Sequence, residues 1–175
     1  AFGGDSFVVI PARALGLSLG PDEAHDIARL GVRITAAAQE QLGFAHPTLP
    51  DWDHISFCLF AGPLEETATG FAAASAVAIR PGKVDRSPTG TAVSARMALL
   101  HAQGLMSEGQ TLEARSIIGS SFTGRIAGTT TLAGTPAILP DISGRAWITG
   151  THQHMLDPDD PWPEGYRLSD TWGAR

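Results

Sequence analysis

The sequence predicts a mixed α+β domain, rich in strands and carrying two substantial helices. Two patterns set that prediction. Small and apolar residues recur at helical spacing in two places, from about Pro21 to Gln41 and from about Thr89 to Gln103, and between and after them lie short apolar or β-branched runs separated by Gly and Pro. At 175 residues the chain is long enough for one domain with a real core. Hydrophobic residues at 43% against 17% charged separate it from disordered chains.

Taken in order, Ser6–Ile10 is a short β-rich run ended by Pro11. Pro21 sits at a first-turn position, with Asp22 and Glu23 at the positive end of a helix dipole. Ala24, Ile27, Ala28, Gly31, Ile34 and Ala38 then give that helix one buried face. Pro47 and Pro50 mark the loop beyond it, and His54–Phe60 is an apolar strand candidate. Residues 61–70 read as an exposed hairpin loop, Phe71–Ile79 as an Ala-rich strand, and Pro81-Gly82 as a turn. Gly104 fits the left-handed position just past the second helix. Further strands are expected at Leu112–Ile118, Arg125–Leu132, Pro136–Leu139 and Arg145–Gly150, with Ala133-Gly134 as a tight turn. The Pro-rich stretch after Leu156 excludes helix and central strand.

Composition narrows function by exclusion. With 12 Lys and Arg against 18 Asp and Glu, the net charge of −6 argues against nucleic acid and against an anionic membrane surface. No run is long and apolar enough for a transmembrane helix, and the opening Ala-Phe-Gly-Gly-Asp has no signal-like features, so a cytoplasmic protein is expected. The chain also opens without Met, which suggests a fragment or a processed piece. A single cysteine, Cys58, allows neither an intramolecular disulfide nor a Cys-based zinc site.

The informative segment runs from Asp85 to Leu100, beginning Asp-Arg-Ser-Pro-Thr-Gly-Thr. It reads as a loop turning sharply into an apolar helix, with Pro88 pre-setting the helical start. Thr89, Gly90 and Thr91 then present main-chain N–H groups without intrahelical acceptors, which with the dipole make an anion site. Gly90 leaves room for close approach, and Asp85 is placed to take a cationic amine. Together they form a plausible cradle for an amino-acid zwitterion. An ordinary capped core helix, with Asp85 and Ser87 as turn and cap residues, uses the same residue types.

This segment resembles the second catalytic motif of the proline racemase family, which also holds hydroxyproline epimerases and trans-3-hydroxyproline dehydratases. Ala1-Phe2-Gly3-Gly4, His46-Pro47, Arg80-Pro81-Gly82, residues 100–104, residues 116–120, residues 144–150, His152-Gln153 and residues 156–158 follow the family's order as well. The resemblance implies the carboxy-terminal half of such an enzyme, with a diaminopimelate epimerase-like lobe: a curved, mostly antiparallel sheet or barrel around one central helix, here Thr89–Gln103. It implies a lobe at 1–142 and a tail at 143–175 that returns to an amino-terminal lobe. It also implies proline or hydroxyproline as the small-molecule substrate, no cofactor, no metal, and Asp85, Gly90 and Thr91 as substrate-binding residues. A homodimer is compatible with it.

Two departures refine the expectation. Where the family has cysteine, this chain has Thr89. Two thiols, each with a tunable pKa near ~8.5, exchange a proton in the racemases, and a threonine hydroxyl is far too weak an acid for that cycle. Thr89 instead resembles the dehydratase branch, in which one thiol on the other half abstracts the Cα proton and the 3-hydroxyl leaves as water; Thr89 is then the catalytic residue assisting departure. Ala92 and Val93 also replace the commoner Gly and Thr. The second departure is that no Met-Cys-Gly-His-type first motif occurs in the chain, and Cys58 sits in an apolar run as a core residue. The chain is thus expected to be half an active site, silent alone. Alternatives are proline racemase or 4-hydroxyproline epimerase activity and, in another class, a non-catalytic amino-acid-binding domain.

The remaining polar residues carry less. Six histidines lack metal-ligand spacing: His152 and His154 alternate on an expected strand face, His46 and His54 are expected at the surface or in loops, and His101 suits a helix C-terminus. Asp157, Asp159 and Asp160 lack a calcium loop's spacing and distal Glu. Trp147, Trp162 and Trp172 are expected as packing anchors, and Ser120 and Ser121 either line the pocket or end a strand.

Overall fold

In the computed structural model, residues 1–166 are described. They fall into two compact units, one from Ala1 to Arg145 and the other beginning at Ala146. Among the described residues, the first unit holds all the helices and strands. Its strands are β1 (Phe7–Pro11), β2 (Phe57–Ala61), β3 (Glu65–Thr67), β4 (Gly70–Ile79), β5 (Lys83–Val84), β6 (Thr111–Arg115), β7 (Ser121–Leu132) and β8 (Thr135–Gly144), and its helices are α1 (Ala24–Gln41) and α2 (Gly90–Ala102). The strand order is β1-β2-β4-β6-β7-β8, with β3 and β5 also on β4. Pairings are mostly antiparallel, but β1–β2 and β4–β6 are parallel. The sheet is therefore a curved, unclosed one whose terminal strands are β1 and β8.

The apolar runs of β2 and β4 are continuous because both faces are covered. Cys58, Phe60, Ala76 and Ala78 join Ile27 of α1 in one cluster, while Leu59 and Val77, one residue out of phase, join Ala92 and Ala95 of α2 in another. A third cluster packs Val93, Met97 and Leu100 of α2 against Leu112, Ala114 and Ile126. Helix α2 is thus the central post, in contact with β1, β6, β7 and β8, and α1 lies on the opposite face of β2 and β4. Small residues set the spacing on the α1 side. A Cβ on Gly31 would fall 2.1 Å from the Ala78 Cβ.

Several expectations are corrected. The strand candidate at His54 begins only at Phe57, the loop at 61–70 contains β3, and β5 was too short to read. Strand β8 extends past Pro140 to Gly144, because a terminal strand tolerates proline on its open edge. The Ala133-Gly134 hairpin turn has both residues at positive φ, 47° and 82°. Gly104 adopts φ 72° just past α2.

The unit beginning at Ala146 contains no helix or strand among its described residues, so Arg145–Gly150 is not the expected strand. His152 and His154 stack at 6.3 Å outside any strand. Trp147 and Trp162 are exposed, Trp162 with its ring 5.9 Å from Tyr166, and Trp172 lies outside the described residues. The acidic stretch is a series of side-chain-capped turns: the Asp159 N–H donates to Asp157 Oδ1 and the Trp162 N–H to Asp160 Oδ1.

Candidate active site

Strand β5 ends at Val84, and the Asp85 N–H donates to the Val77 carbonyl at 2.9 Å, so Asp85 leaves the edge of β4 at a fixed point. Its carboxylate then organises the loop. Oδ1 accepts the Ser87 N–H at 3.3 Å, Oδ2 accepts the Ser87 hydroxyl at 3.2 Å, and the Thr89 hydroxyl donates to Oδ2. A carboxylate has about four lone-pair sites. Three are taken within the loop, which leaves room for one further donor such as an ammonium.

Helix α2 starts at Gly90, one residue later than expected, because Thr89 precedes it at φ 62°. That region is uncommon for a β-branched residue and costs on the order of 1–3 kcal/mol. The hydrogen bond to Asp85 and the Thr89 N–H to Ser87 Oγ bond at 3.2 Å hold it there. The Thr89 amide therefore has a partner, contrary to the sequence reading. Among the described residues no acceptor meets the N–H groups of Gly90, Thr91 or Ala92, and the first main-chain bond of the helix runs from Val93 N to Thr89 O at 2.9 Å. Asp85, Thr89, Gly90 and Thr91 are all half-buried, so these donors and the carboxylate stand together at an accessible helix N-terminus.

Distant residues brace this turn. A Cβ on Gly3 would lie 2.3 Å from Thr91 O and Ala95 N, so the Gly3-Gly4 segment sits directly on the first turn of α2. Ser120 Oγ donates to the Arg86 carbonyl at 3.0 Å and pairs with Ser116 Oγ at 2.7 Å. Ser120 thus holds the motif loop from behind. Ile142 of β8 stands beside the site, its Cγ2 3.7 Å from where a Gly90 Cβ would lie. Local sequence gives the Gly pair and Ser120 no such roles, and Ile142 lies beyond the strand expected at Pro136–Leu139.

Deeper in α2, Arg96 is buried, donating to the Gly62 carbonyl at 2.5 Å and the Ala74 carbonyl at 3.2 Å. Burial lowers its pKa to about 10. It ties the central helix to β4 and the end of β2, which fixes the direction of the helix N-terminus. Cys58 is fully buried, and desolvation pushes its thiol up to about 12, so it remains protonated and inert at neutral pH. His46 lies in a loop, as expected, and is only 9% exposed. His101 Nδ1 lies 2.9 Å from the Met106 carbonyl, a bond that caps the turn after α2. No three His, Cys, Asp or Glu side chains converge as a metal site among the described residues, and no helix is long and apolar enough to cross a membrane.

Comparison with known proteins agrees with the motif. The family model described as proline racemase matches residues 1–167. A hydroxyproline epimerase from Agrobacterium vitis, solved with bound trans-4-hydroxy-L-proline, is 36% identical with a TM-score of 0.78, covering 99% of this chain and 49% of that one. A probable proline racemase from Agrobacterium radiobacter K84, solved with bound carbonate, is 34% identical with a TM-score of 0.78, covering 99% and 50%. The chain therefore spans about half the length of these solved relatives. With the motif loop, the central helix and a match along nearly its whole length, the chain belongs to the proline racemase family.

Proposed function

We propose that this chain supplies one wall of a cofactor-independent active site, and that with an amino-terminal lobe it dehydrates trans-3-hydroxy-L-proline. The Gly90 and Thr91 amides receive the substrate carboxylate, and the remaining lone pair of Asp85 takes the ring ammonium. A thiolate on the other lobe takes the Cα proton and, as the thiol so formed, returns it to the departing 3-hydroxyl, which leaves as water as the Cα–C3 double bond forms. The observation that carries the reading is Thr89, a hydroxyl at the motif's thiol position, held against Asp85 by a hydrogen bond. Such a group orients and donates hydrogen bonds, but it does not alternate between acid and base at neutral pH. The reading assumes a cytoplasmic enzyme, in keeping with a lone buried thiol.

A second reading, 4-hydroxyproline epimerisation or proline racemisation, is favoured by the Agrobacterium vitis relative and its bound trans-4-hydroxy-L-proline. A polypeptide carrying both lobes separates the two when assayed in deuterium oxide. Loss of water from trans-3-hydroxy-L-proline, without Cα exchange on 4-hydroxyproline, is the expected result. Cα deuteration with the hydroxyl retained supports epimerisation and rejects dehydration. The 175-residue chain alone is expected to leave both substrates unchanged.

A further inference from the structure

Between β6 and β7, residues 116–120 form a tight turn that reaches the motif loop. The Ser116 N–H donates to the Ser120 carbonyl at 2.8 Å and the Gly119 N–H to the Ser116 carbonyl at 2.9 Å. Ser116 is buried, and its Oγ accepts the Ser120 N–H at 3.2 Å. The Ser120 hydroxyl has one proton, which goes to the Arg86 carbonyl at 3.0 Å. The 2.7 Å bond between the two hydroxyls is therefore donated by Ser116. The result is a directed relay from Ser116 through Ser120 to Arg86, in which each bond polarises the next.

The relay ends on the carboxylate of the cradle. Arg86 C=O and Ser87 N–H belong to one planar peptide unit, so fixing the carbonyl fixes the N–H. That N–H donates to Asp85 Oδ1 at 3.3 Å, and the Ser87 hydroxyl donates to Oδ2 at 3.2 Å. A tilt of the peptide plane would withdraw the N–H from Asp85 and loosen its carboxylate. Both ends of the arrangement hang on β4. The Asp85 N–H is tied to the Val77 carbonyl, and β6, which leads directly into Ser116, pairs with β4 up to Arg115.

We propose that Ser120, oriented by Ser116, is a positioning residue that aims the Asp85 carboxylate at the substrate's ring ammonium. This rests on the role given to Asp85 under the proposed function, but not on which hydroxyproline is converted. The test is calorimetric titration of a polypeptide carrying both lobes with L-proline and with cyclopentanecarboxylate, which keeps the ring and carboxylate but has no ammonium. Ser120→Ala is expected to weaken L-proline binding about threefold to fivefold, the lower part of what one hydrogen bond is worth, because Ser120 is exposed. Its affinity for cyclopentanecarboxylate and its melting temperature are expected to match the parent's. Ser120→Thr keeps the hydroxyl and is expected to retain parental L-proline binding. Asp85→Asn is expected to weaken L-proline binding further than Ser120→Ala does, and adding Ser120→Ala to it to cost less than about twofold more, since the two act through one group. Parental L-proline affinity in Ser120→Ala, equal weakening of both ligands, a Ser120→Thr variant as weak as Ser120→Ala, or an additive loss with Asp85→Asn overturns the proposal and leaves the role of Asp85 standing. An Asp85→Asn variant that binds L-proline as the parent does overturns that role, and the proposal with it.

Discussion

The two helices begin in opposite ways. Ahead of α1, Glu23 folds back so that its carboxylate accepts the N–H groups of Ser18 and Gly20, and the protein's own side chain serves the turn. At α2 Thr89 is held at positive φ, and among the described residues the next three amides have no acceptor. Their surfaces differ in the same sense. Helix α1 buries one stripe and carries Arg29, Arg33 and Glu40 elsewhere, whereas α2 is buried almost throughout, with Arg96 satisfied by carbonyls. Neither helix has a side-chain cap on its first amides, but α1 is entered through a 3-10 turn braced by Glu23, whereas α2 is entered through a residue at positive φ. A helix that is rigidly buried and yet left uncapped is a better guide to a site than either property alone.

The sharpest way to break this comparison is at the glycine that seats each helix. A methyl at Gly3 meets main-chain atoms of α2 at 2.3 Å, and these cannot move without moving the helix. Gly3→Ala is expected to cost about 3 kcal/mol or more in urea denaturation, at the upper end of overpacking effects. A methyl at Gly31 meets the Ala78 Cβ at 2.1 Å, an atom fixed to the backbone of β4, and the edge of Phe60. Gly31→Ala is expected to cost about 2 kcal/mol, since roughly 1 kcal/mol of helix propensity offsets part of the overpacking. If Gly31→Ala proves the more damaging, α2 is not the more rigidly seated helix.

The loop ahead of α2 gives the next largest effect. Asp85→Ala deprives the Ser87 amide, the Ser87 hydroxyl and the Thr89 hydroxyl of one shared acceptor. Because the loop is half-buried, the expected loss is about 1–2 kcal/mol. It should appear as faster amide exchange at residues 86–91, with α1 unchanged. Exchange that quickens equally in α1 and β4 would show Asp85 to be part of the global fold and not a local brace.

How much of this was legible follows from the range of the interactions. Helix α1 could be read because its stripe repeats within one element, and the Asp85–Thr91 turn because its bonds join residues at most four apart. Gly3, Ser120 and Ile142 reach the same turn from opposite ends of the chain, and no local pattern marks them. The positive φ of Thr89 was unreadable for a related reason: Pro88 suggested a helical start, and only the Asp85 bond and the packing behind it override that preference. Arg145–Gly150 has β-branched and aromatic residues suited to a strand, but a strand requires a neighbouring strand, and sequence alone does not supply it.

The smallest expected effect is the acid response of the α1 start. The hydrogen bond from the Ser18 amide, followed by the one from Gly20, lowers the pKa of Glu23 below its ordinary value of 4.5. Because the folded value is the lower one, ionised Glu23 favours folding above about pH 4.5, and that contribution is lost as pH falls through the folded pKa. Melting temperature followed from pH 7 to pH 3 should therefore drop less for Glu23→Gln than for the parent, relative to each protein's own value at pH 7. The α2 start has no carboxylate on its free amides, so its response should depend on an added anion and not on this titration. A Glu23→Gln profile parallel to the parent's would mean that the turn ahead of α1 is held by its backbone alone, and the contrast between the two helix starts would then rest on Thr89.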